Sequence, residues 1–317
     1  MAAGRAAKVG IIGAGSVGAT IAYTAMIRGV ARRISLFDIA SAKVNAEVLD
    51  LNHGSLFVPQ GMIEGSDDIE VLRGSDVVVM AAGAKRSPGQ TRMDLASANA
   101  AICAKLLPKV VEVAPDAMLL LITNPVDVIT QIALKLTGLP WERVIGSGTV
   151  LDSSRFRYLL ATHCKVAVQN VHAYIAGEHG DSEIPLWSSA SIGSIPLSQW
   201  AVKGHGRLTT ADKEEIVHNV KDAAFQVIQG KGATNYAIGL AVTNILEALL
   251  YDERRVLPLS GLLQGFKGLD DVCLSLPRIV GRKGIEAPLP IPMTVDEEAG
   301  LHASAERIRS VVHELGY

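Results

Sequence analysis

Cysteine is scarce in this sequence: Cys103, Cys164 and Cys273 are the whole supply, odd in number and far apart. With no Cys-x-x-Cys pair, neither a zinc knuckle nor a dithiol redox motif nor a disulfide scaffold is expected, and a reducing compartment is. The 8 histidines show no His-Glu-x-x-His spacing, so no metal is expected. Charge of one sign is also missing, since 30 Lys and Arg stand against 32 Asp and Glu. That balance gives no footprint for nucleic acid or an anionic membrane. Long hydrophobic runs are absent: "AMLLLI" at 117–122 falls far short of the ~20 residues that span a bilayer. The opening "MAAGRAAKVGIIGAG" imitates a signal peptide, but glycines at 10, 13, 15 and 18 interrupt it. A soluble, cytoplasmic protein is the expectation, and 317 residues with 49% apolar content suffice for two domains and a large core.

What is present is a rhythm. Short apolar runs alternate with helical patterns through the first half: "KVGIIG" then 16–29, "RISLFD" then 41–52, "SDVVVMAAG" then 93–113, "AMLLLIT" then 126–137. Such alternation reads as βαβ units building a parallel sheet with helices on both faces. After about Gly146 the pattern changes to longer helices at 151–163, 209–229, 232–251 and 295–315, with β-like segments near 166–175, 184–192 and 272–280. No fixed-period repeat is visible. The fold class expected is α/β: a Rossmann-type doubly wound parallel sheet over 1–147 and a mixed α/β substrate domain over 148–317.

"GAGSVG" directly follows the first strand and opens a helix. In that context the spacing is a dinucleotide fingerprint: Gly13 for the tight turn, Gly15 for pyrophosphate approach, Gly18 for helix packing. Asp38, 20 residues after Gly18, ends the second strand, where a carboxylate bonds ribose hydroxyls and repels the extra phosphate of NADP. "QGKG" at 229–232 lacks the upstream glycine and downstream Ser or Thr of a phosphate loop, and no Tyr-x-x-x-Lys pair occurs.

"GEHGDSE" sets His179 among glycines and acids, and "LDSSR" sets Asp152 and Arg155 at i, i+3 on one helical face. Two readings stand: a structural histidine beside a surface ion pair, or Asp152 orienting His179 while Arg155 grips a carboxylate through parallel bonds. "AKRSPGQTRMD" at 84–94 carries Arg86 and Arg92 on a Pro- and Gly-bearing loop, which is either a solvated basic loop or a segment that closes on an anion.

Taken in order, "GAGSVG", "TNPVD", "GSGTVLDSSRFR" and "GEHGDSE" resemble the L-lactate/malate dehydrogenase family over almost the whole chain, bacterial L-lactate dehydrogenases most. The resemblance implies NAD as cofactor, a small 2-keto or 2-hydroxy acid as substrate, and a homotetramer. It makes His179 the proton donor and acceptor, Asp152 its partner, Arg155 the clamp on the 1-carboxylate, and Arg92 the polariser of the carbonyl from a closing loop. Asn124, before a cis Pro125, would touch substrate and nicotinamide, and Ser147 and Thr234 would line the pocket. Val17, Lys43 and Gly83 join Gly13, Gly15, Gly18, Asp38, Asn124 and Ser147 in the implied cofactor set. The competing reading is a catalytically silent NAD-binding protein.

The sequence departs from the lactate enzymes at one point. They typically carry glutamine six residues before the lid arginine, where this chain has Arg86, as malate dehydrogenases do. Pyruvate in a closed site would leave that guanidinium buried and unpaired, at a cost of about 2–5 kcal/mol, unless the long stem swings it out to solvent. Oxaloacetate would give it a carboxylate. A shift toward malate chemistry, or a dedicated malate dehydrogenase, is therefore weighed beside the lactate reading. Arg157 lies about 200° around the helix from Arg155 and cannot serve the same pocket. In bacterial lactate dehydrogenases activated by fructose 1,6-bisphosphate, positions matching Arg157 and His172 line an allosteric phosphate site. A surface or interface salt bridge is the alternative for Arg157.

Overall fold

The computed structural model describes residues 6–84, 91–201 and 206–317. In chain order the first half runs β1 (Lys8–Ile12), α1 (Ser16–Arg28), β2 (Arg33–Phe37), α2 (Ser41–His53), β3 (Met62–Ser66), β4 (Val77–Met80), α3 (Arg92–Val113), β5 (Met118–Leu121), α4 (Val126–Thr137) and β6 (Val144–Gly146). These strands pair in parallel in the order β3-β2-β1-β4-β5-β6. That is the doubly wound order, with the reversal beside β1. Strands so placed are covered on both faces, which is why they read as apolar runs without alternation. Their residues nevertheless divide by parity. Ile12, Val78, Met80, Leu119 and Leu121 point into a core shared with α3 and α4, while Val9, Ile11, Val77, Val79 and Leu120 join the core of the opposite face with α1.

The second half adds α5 (Val150–Cys164), then short strands β7 (Val171–His172), β8 (Ile175–Ala176), β9 (Ile184–Pro185), β10 (Ser191–Ile192) and β11 (Ile195–Pro196). It continues with α6 (Thr210–Lys231), α7 (Tyr236–Tyr251), β12 (Arg255–Leu263), β13 (Val272–Gly281), β14 (Gly284–Pro288) and α8 (Val295–Glu314). The helices fall where their periodicity predicts, with one adjustment: the helix expected from 232 begins at Tyr236. Gly232 closes α6 in the left-handed region at φ +83°, so residues 233–235 form a link rather than a first turn.

Five strands, β3, β6, β11, β12 and β14, are not evident in the sequence pattern. The first two are short or polar, and β12 carries Pro258 and Gly261 inside "RVLPLSGLL". β12 matters most, because it pairs antiparallel with β6 through Ser260 and Gly146 and with β13 along its whole length. The result is one nine-stranded sheet, β14-β13-β12-β6-β5-β4-β1-β2-β3, running through both halves of the chain. α5, α6 and the short strands enclose a third core around Phe156, Leu160 and Val220. No described helix is long and apolar enough to cross a membrane.

Candidate active site

The glycine loop is built as the fingerprint requires. Gly13 sits at φ +102°, and a Cβ there would meet the Ala82 amide nitrogen at 2.8 Å. A Cβ on Gly18 would stand 1.8 Å from the Gly13 carbonyl oxygen, so α1 can approach β1 this closely only with glycine. Gly15, the residue just ahead of α1, has open space where its Cβ would be, the condition for a pyrophosphate to reach the helix N-terminus. Asp38 completes the cradle: one carboxylate oxygen accepts from the Ala14 N–H at 2.7 Å and the other from the Ala40 N–H at 2.9 Å. The carboxylate thus sits against the loop, at the carboxyl end of β2.

Gly83 follows β4 and Ser147, buried, follows β6, so both lie past the carboxyl ends of parallel strands, where open α/β sheets bind ligands. Val17 is half-buried in the first turn of α1, and Lys43 lies exposed on α2, paired with Glu47 at 2.9 Å. These residues fit a dinucleotide bound across the switch point. Asn124 precedes a cis Pro125, as expected, and its carbonyl accepts from the Asn99 side chain at 2.7 Å. The other atom of that buried amide, Oδ1, accepts from the Ala84 N–H at 2.7 Å. Asn99, which no motif indicated, thereby ties the end of the segment after β4 to Asn124. Arg86 lies outside the described residues. Arg92 is described as the first residue of α3, behind a Thr91–Asp94 capping box.

The second cluster forms where α5 meets the segment after β8. Asp152 is buried in the first turn of α5, and each of its oxygens has a separate task. Oδ2 is 2.5 Å from His179 Nδ1, and Oδ1 accepts from Arg155 at 2.8 Å. The two sequence readings are therefore not exclusive, since Asp152 pairs with Arg155 and orients His179 at once. With Nδ1 engaged, Nε2 is the nitrogen that can serve a substrate oxygen, and the 28% exposure of the side chain gives it access.

The backbone of His179 is pinned from the first half of the chain: its N–H donates to Asp127 Oδ2 at 2.7 Å, and Asp127 Oδ1 accepts from Ser275 Oγ at 3.0 Å. Asp127 is fully enclosed in the otherwise apolar start of α4. Its burial pushes its carboxyl above the ordinary carboxylate range. The negative charge of Asp152 lifts the His179 imidazole from 6.5 to about 9 against the opposing effect of burial. Asp152 is in turn held below its ordinary value by the His179 charge and by Arg155, which together outweigh its own desolvation. A further buried acid, Glu183, completes the group, with one oxygen each of Glu183 and Asp152 and a ring nitrogen of His179 within 4.8 Å of one another.

Thr234 is half-buried in the link between α6 and α7, next to Asn235, whose side chain reaches Thr20 of α1 at 2.9 Å. Arg157 points elsewhere, as its position on the helix predicts. Its Nε donates to the Ala173 carbonyl at 2.8 Å and its guanidinium lies 4.7 Å from the centre of the Tyr174 ring; His172, the residue before Ala173, is exposed. Among the described residues that guanidinium is taken up by a carbonyl and an aromatic face rather than by a carboxylate.

Comparison with known proteins agrees with this geometry. Residues 7–146 match the family model of the lactate/malate dehydrogenase NAD binding domain, and residues 149–315 match that of the lactate/malate dehydrogenase α/β C-terminal domain. The chain is 51% identical over 311 residues to an L-lactate dehydrogenase of Bifidobacterium animalis subsp. lactis, covering 98% of this chain and 97% of that one. It is 44% identical over 310 residues to the L-lactate dehydrogenase of Thermus aquaticus, covering 98% and 100%. The crystal structure of a minor L-lactate dehydrogenase from Enterococcus mundtii superposes with a TM-score of 0.93 at 36% identity, over 97% of this chain and 98% of that one.

Proposed function

The chain belongs to the lactate/malate dehydrogenase family and is an NAD-dependent dehydrogenase of the L-lactate dehydrogenase type, and we propose that it interconverts pyruvate and L-lactate with an activity toward oxaloacetate conferred by Arg86. The observation that carries the proposal is the single carboxylate of Asp152 shared between His179 and Arg155. A 2-keto acid offers two handles, a carboxylate and an adjacent carbonyl. Arg155 matches the first by a forked pair of hydrogen bonds. His179, kept cationic by Asp152, supplies the proton for the oxygen of the second. The glycine loop and Asp38 would hold the cofactor, which when bound would supply the hydride as NADH or accept it as NAD. Everything else is the work of side chains. Asp152 fixes the tautomer of His179 and stabilises its charged form, Asp127 fixes its backbone, and Arg92, at the head of α3, is assigned to the carbonyl oxygen. Asn124, Thr234 and Ser147 are assigned to the pocket wall, and Val17, Lys43 and Gly83 to the cofactor, with residues 1–147 serving the cofactor and 148–317 the substrate.

A second reading, malate dehydrogenase proper, is favoured by one observation, the identity of Arg86. We also assign the chain to a cytoplasmic homotetramer in which Arg157 and His172 receive fructose 1,6-bisphosphate. Oxidation of NADH followed at 340 nm with pyruvate and with oxaloacetate tests the proposal. Turnover of both is expected. Turnover of oxaloacetate alone would establish the malate reading, and turnover of neither would leave a silent NAD-binding protein.

A further inference from the structure

Glu183 stands in the middle of this site and has no task in the chemistry described above. It lies just before β9, is 6% exposed, and its Oε1 has no hydrogen-bond partner among the described residues. A buried carboxyl oxygen without a donor is costly when ionised and much less so when it carries a proton. Its surroundings are crowded with charge. Asp152 and Arg155 face it from α5, His179 from its own loop, and Lys221 from α6. Asp127 of α4 acts on the same imidazole. Lys221 donates to the Asp181 carbonyl at 2.7 Å, and Arg307 of α8 reaches Glu178 and Asp181 at 3.5 and 3.7 Å.

Two carboxyl groups share one imidazole here, and they are not equivalent. Asp152 has both oxygens committed to cationic donors and must stay ionised, so the proton that the pair of acids retains belongs to Glu183. Resting on the dehydrogenase reading above, we propose that Glu183 is a positioning residue: a neutral acid beside the proton donor, whose ionisation tightens the hold of His179 on its proton. Burial, and then the charge of Asp152, push the Glu183 carboxyl up to about 8, against the pull of His179, Lys221 and Arg155. Near neutrality Glu183 is uncharged and leaves His179 a competent acid. As the pH rises it becomes an anion, keeps His179 protonated further into the alkaline range, and so prolongs keto-acid reduction while delaying hydroxy-acid oxidation.

The direction follows from charge alone, and the size from distance. A unit charge at roughly 5 Å, in surroundings of effective dielectric about 20–40, moves a neighbouring titration by about one to two pH units. Glu183→Gln keeps the shape and removes the ionisation. In this variant the alkaline limb of kcat/KM for pyruvate reduction, and the acid limb for hydroxy-acid oxidation, should both move to lower pH by about one unit or more. A residue that only fills space would lower the rate at every pH and leave both limbs in place. That outcome overturns the proposal. Two NMR titrations decide the matter without turnover and without the variant. In the wild type, the Glu183 carboxyl carbon should titrate well above 4.5, and His179 should respond in the same step. A Glu183 carbon titrating near 4.5 overturns the proposal even in an active enzyme. Absence of turnover on either keto acid, with the elevated Glu183 titration intact, would instead count against the dehydrogenase reading.

Discussion

Asp152→Asn separates the electrostatic work of Asp152 from its geometric work. The amide preserves size and keeps an oxygen that can accept from His179 Nδ1–H or Arg155, but it removes the charge that lifts the imidazole from 6.5 to about 9. Without that charge the imidazole should fall to about 6.5 or below, because burial by itself disfavours the cation. Protonation follows directly. With a titration near 9 the donor form is about 90% populated at pH 8, and with one near 6.5 it is about 3%, a loss of roughly 30-fold. At pH 6 the same change costs less than about twofold. Loss of orientation adds a penalty that can reach about 10⁴-fold, and that part is independent of pH. The assay is kcat/KM for pyruvate reduction from pH 5.5 to 9.5, which reports the free enzyme. The alkaline limb should move acid by about 2.5 units in the variant, the distance from about 9 back to 6.5. An equal fractional loss at every pH would mean that Asp152 only positions His179 and that its charge does not set the proton affinity.

Replacing Arg86 with Gln should swing the ratio of kcat/KM values toward pyruvate, since in the proposed site the charge serves only the second carboxylate of oxaloacetate. With ~3 kcal/mol at stake the swing should exceed a hundredfold, and a change below about threefold would place Arg86 outside the pocket. Asp38→Ser should raise the NADPH to NADH preference, because it removes the carboxylate held by the Ala14 and Ala40 amides. An unchanged cofactor ratio would dissociate Asp38 from the ribose. Millimolar fructose 1,6-bisphosphate should lower the apparent KM for substrate, and Arg157→Gln should abolish the effect; no response in the wild type would refute the anion site. Asp127→Asn should destabilise the protein, lowering Tm by several degrees. It is also expected to reduce kcat more than it raises KM, because it loosens the His179 backbone without touching substrate; an unchanged kcat would contradict that role.

The parts of the site legible in the sequence are those whose members lie within one turn or one loop. "GAGSVG" is readable because each glycine answers a local demand, a positive φ or a close approach, and the demand recurs at fixed spacing. Asp152 and Arg155 are readable as an i, i+3 pair. His179 stood out because glycines and acids surround it, although its bond to Asp152 spans 27 residues. Asp127, Glu183 and Asn99 are not legible in this way. Asp127 looks like an ordinary acid in the first turn of a helix, where the helix dipole welcomes it. Only the tertiary fold reveals that it is enclosed and bonded to residues 52 and 148 positions away. β12 is hidden for the converse reason. Its proline and glycine argue against a strand locally, and the pairing with β6 and β13 overrides them.

That pairing explains how firmly His179 is held for its proposed proton transfer. A site built on two independent domains would hold His179 and the cofactor only as precisely as their interface allowed. Here the sheet does not stop between them. Gly146 of β6 pairs with Ser260 of β12, and a Cβ on Gly146 would meet Thr130 Oγ at 2.4 Å and the Ser260 Cβ at 2.8 Å. Two residues on, Gly148 at φ +54° sits where a Cβ would strike the Ser260 nitrogen at 2.6 Å. These close approaches launch α5, and with it Asp152, directly from the sheet that carries the glycine loop. Asp127 enters from α4, which packs on the same strands, and Ser275 from β13 at the sheet's far side. His179 is thus fastened by groups from α4 and α5 and, through Asp127, by β13, all bonded or packed to one continuous sheet. Near-attack geometry tolerates errors of only a few tenths of an ångström, and a shared sheet is the simplest way for one chain to meet that tolerance between the cofactor site proposed over β1 and the proton donor proposed at His179, after β8.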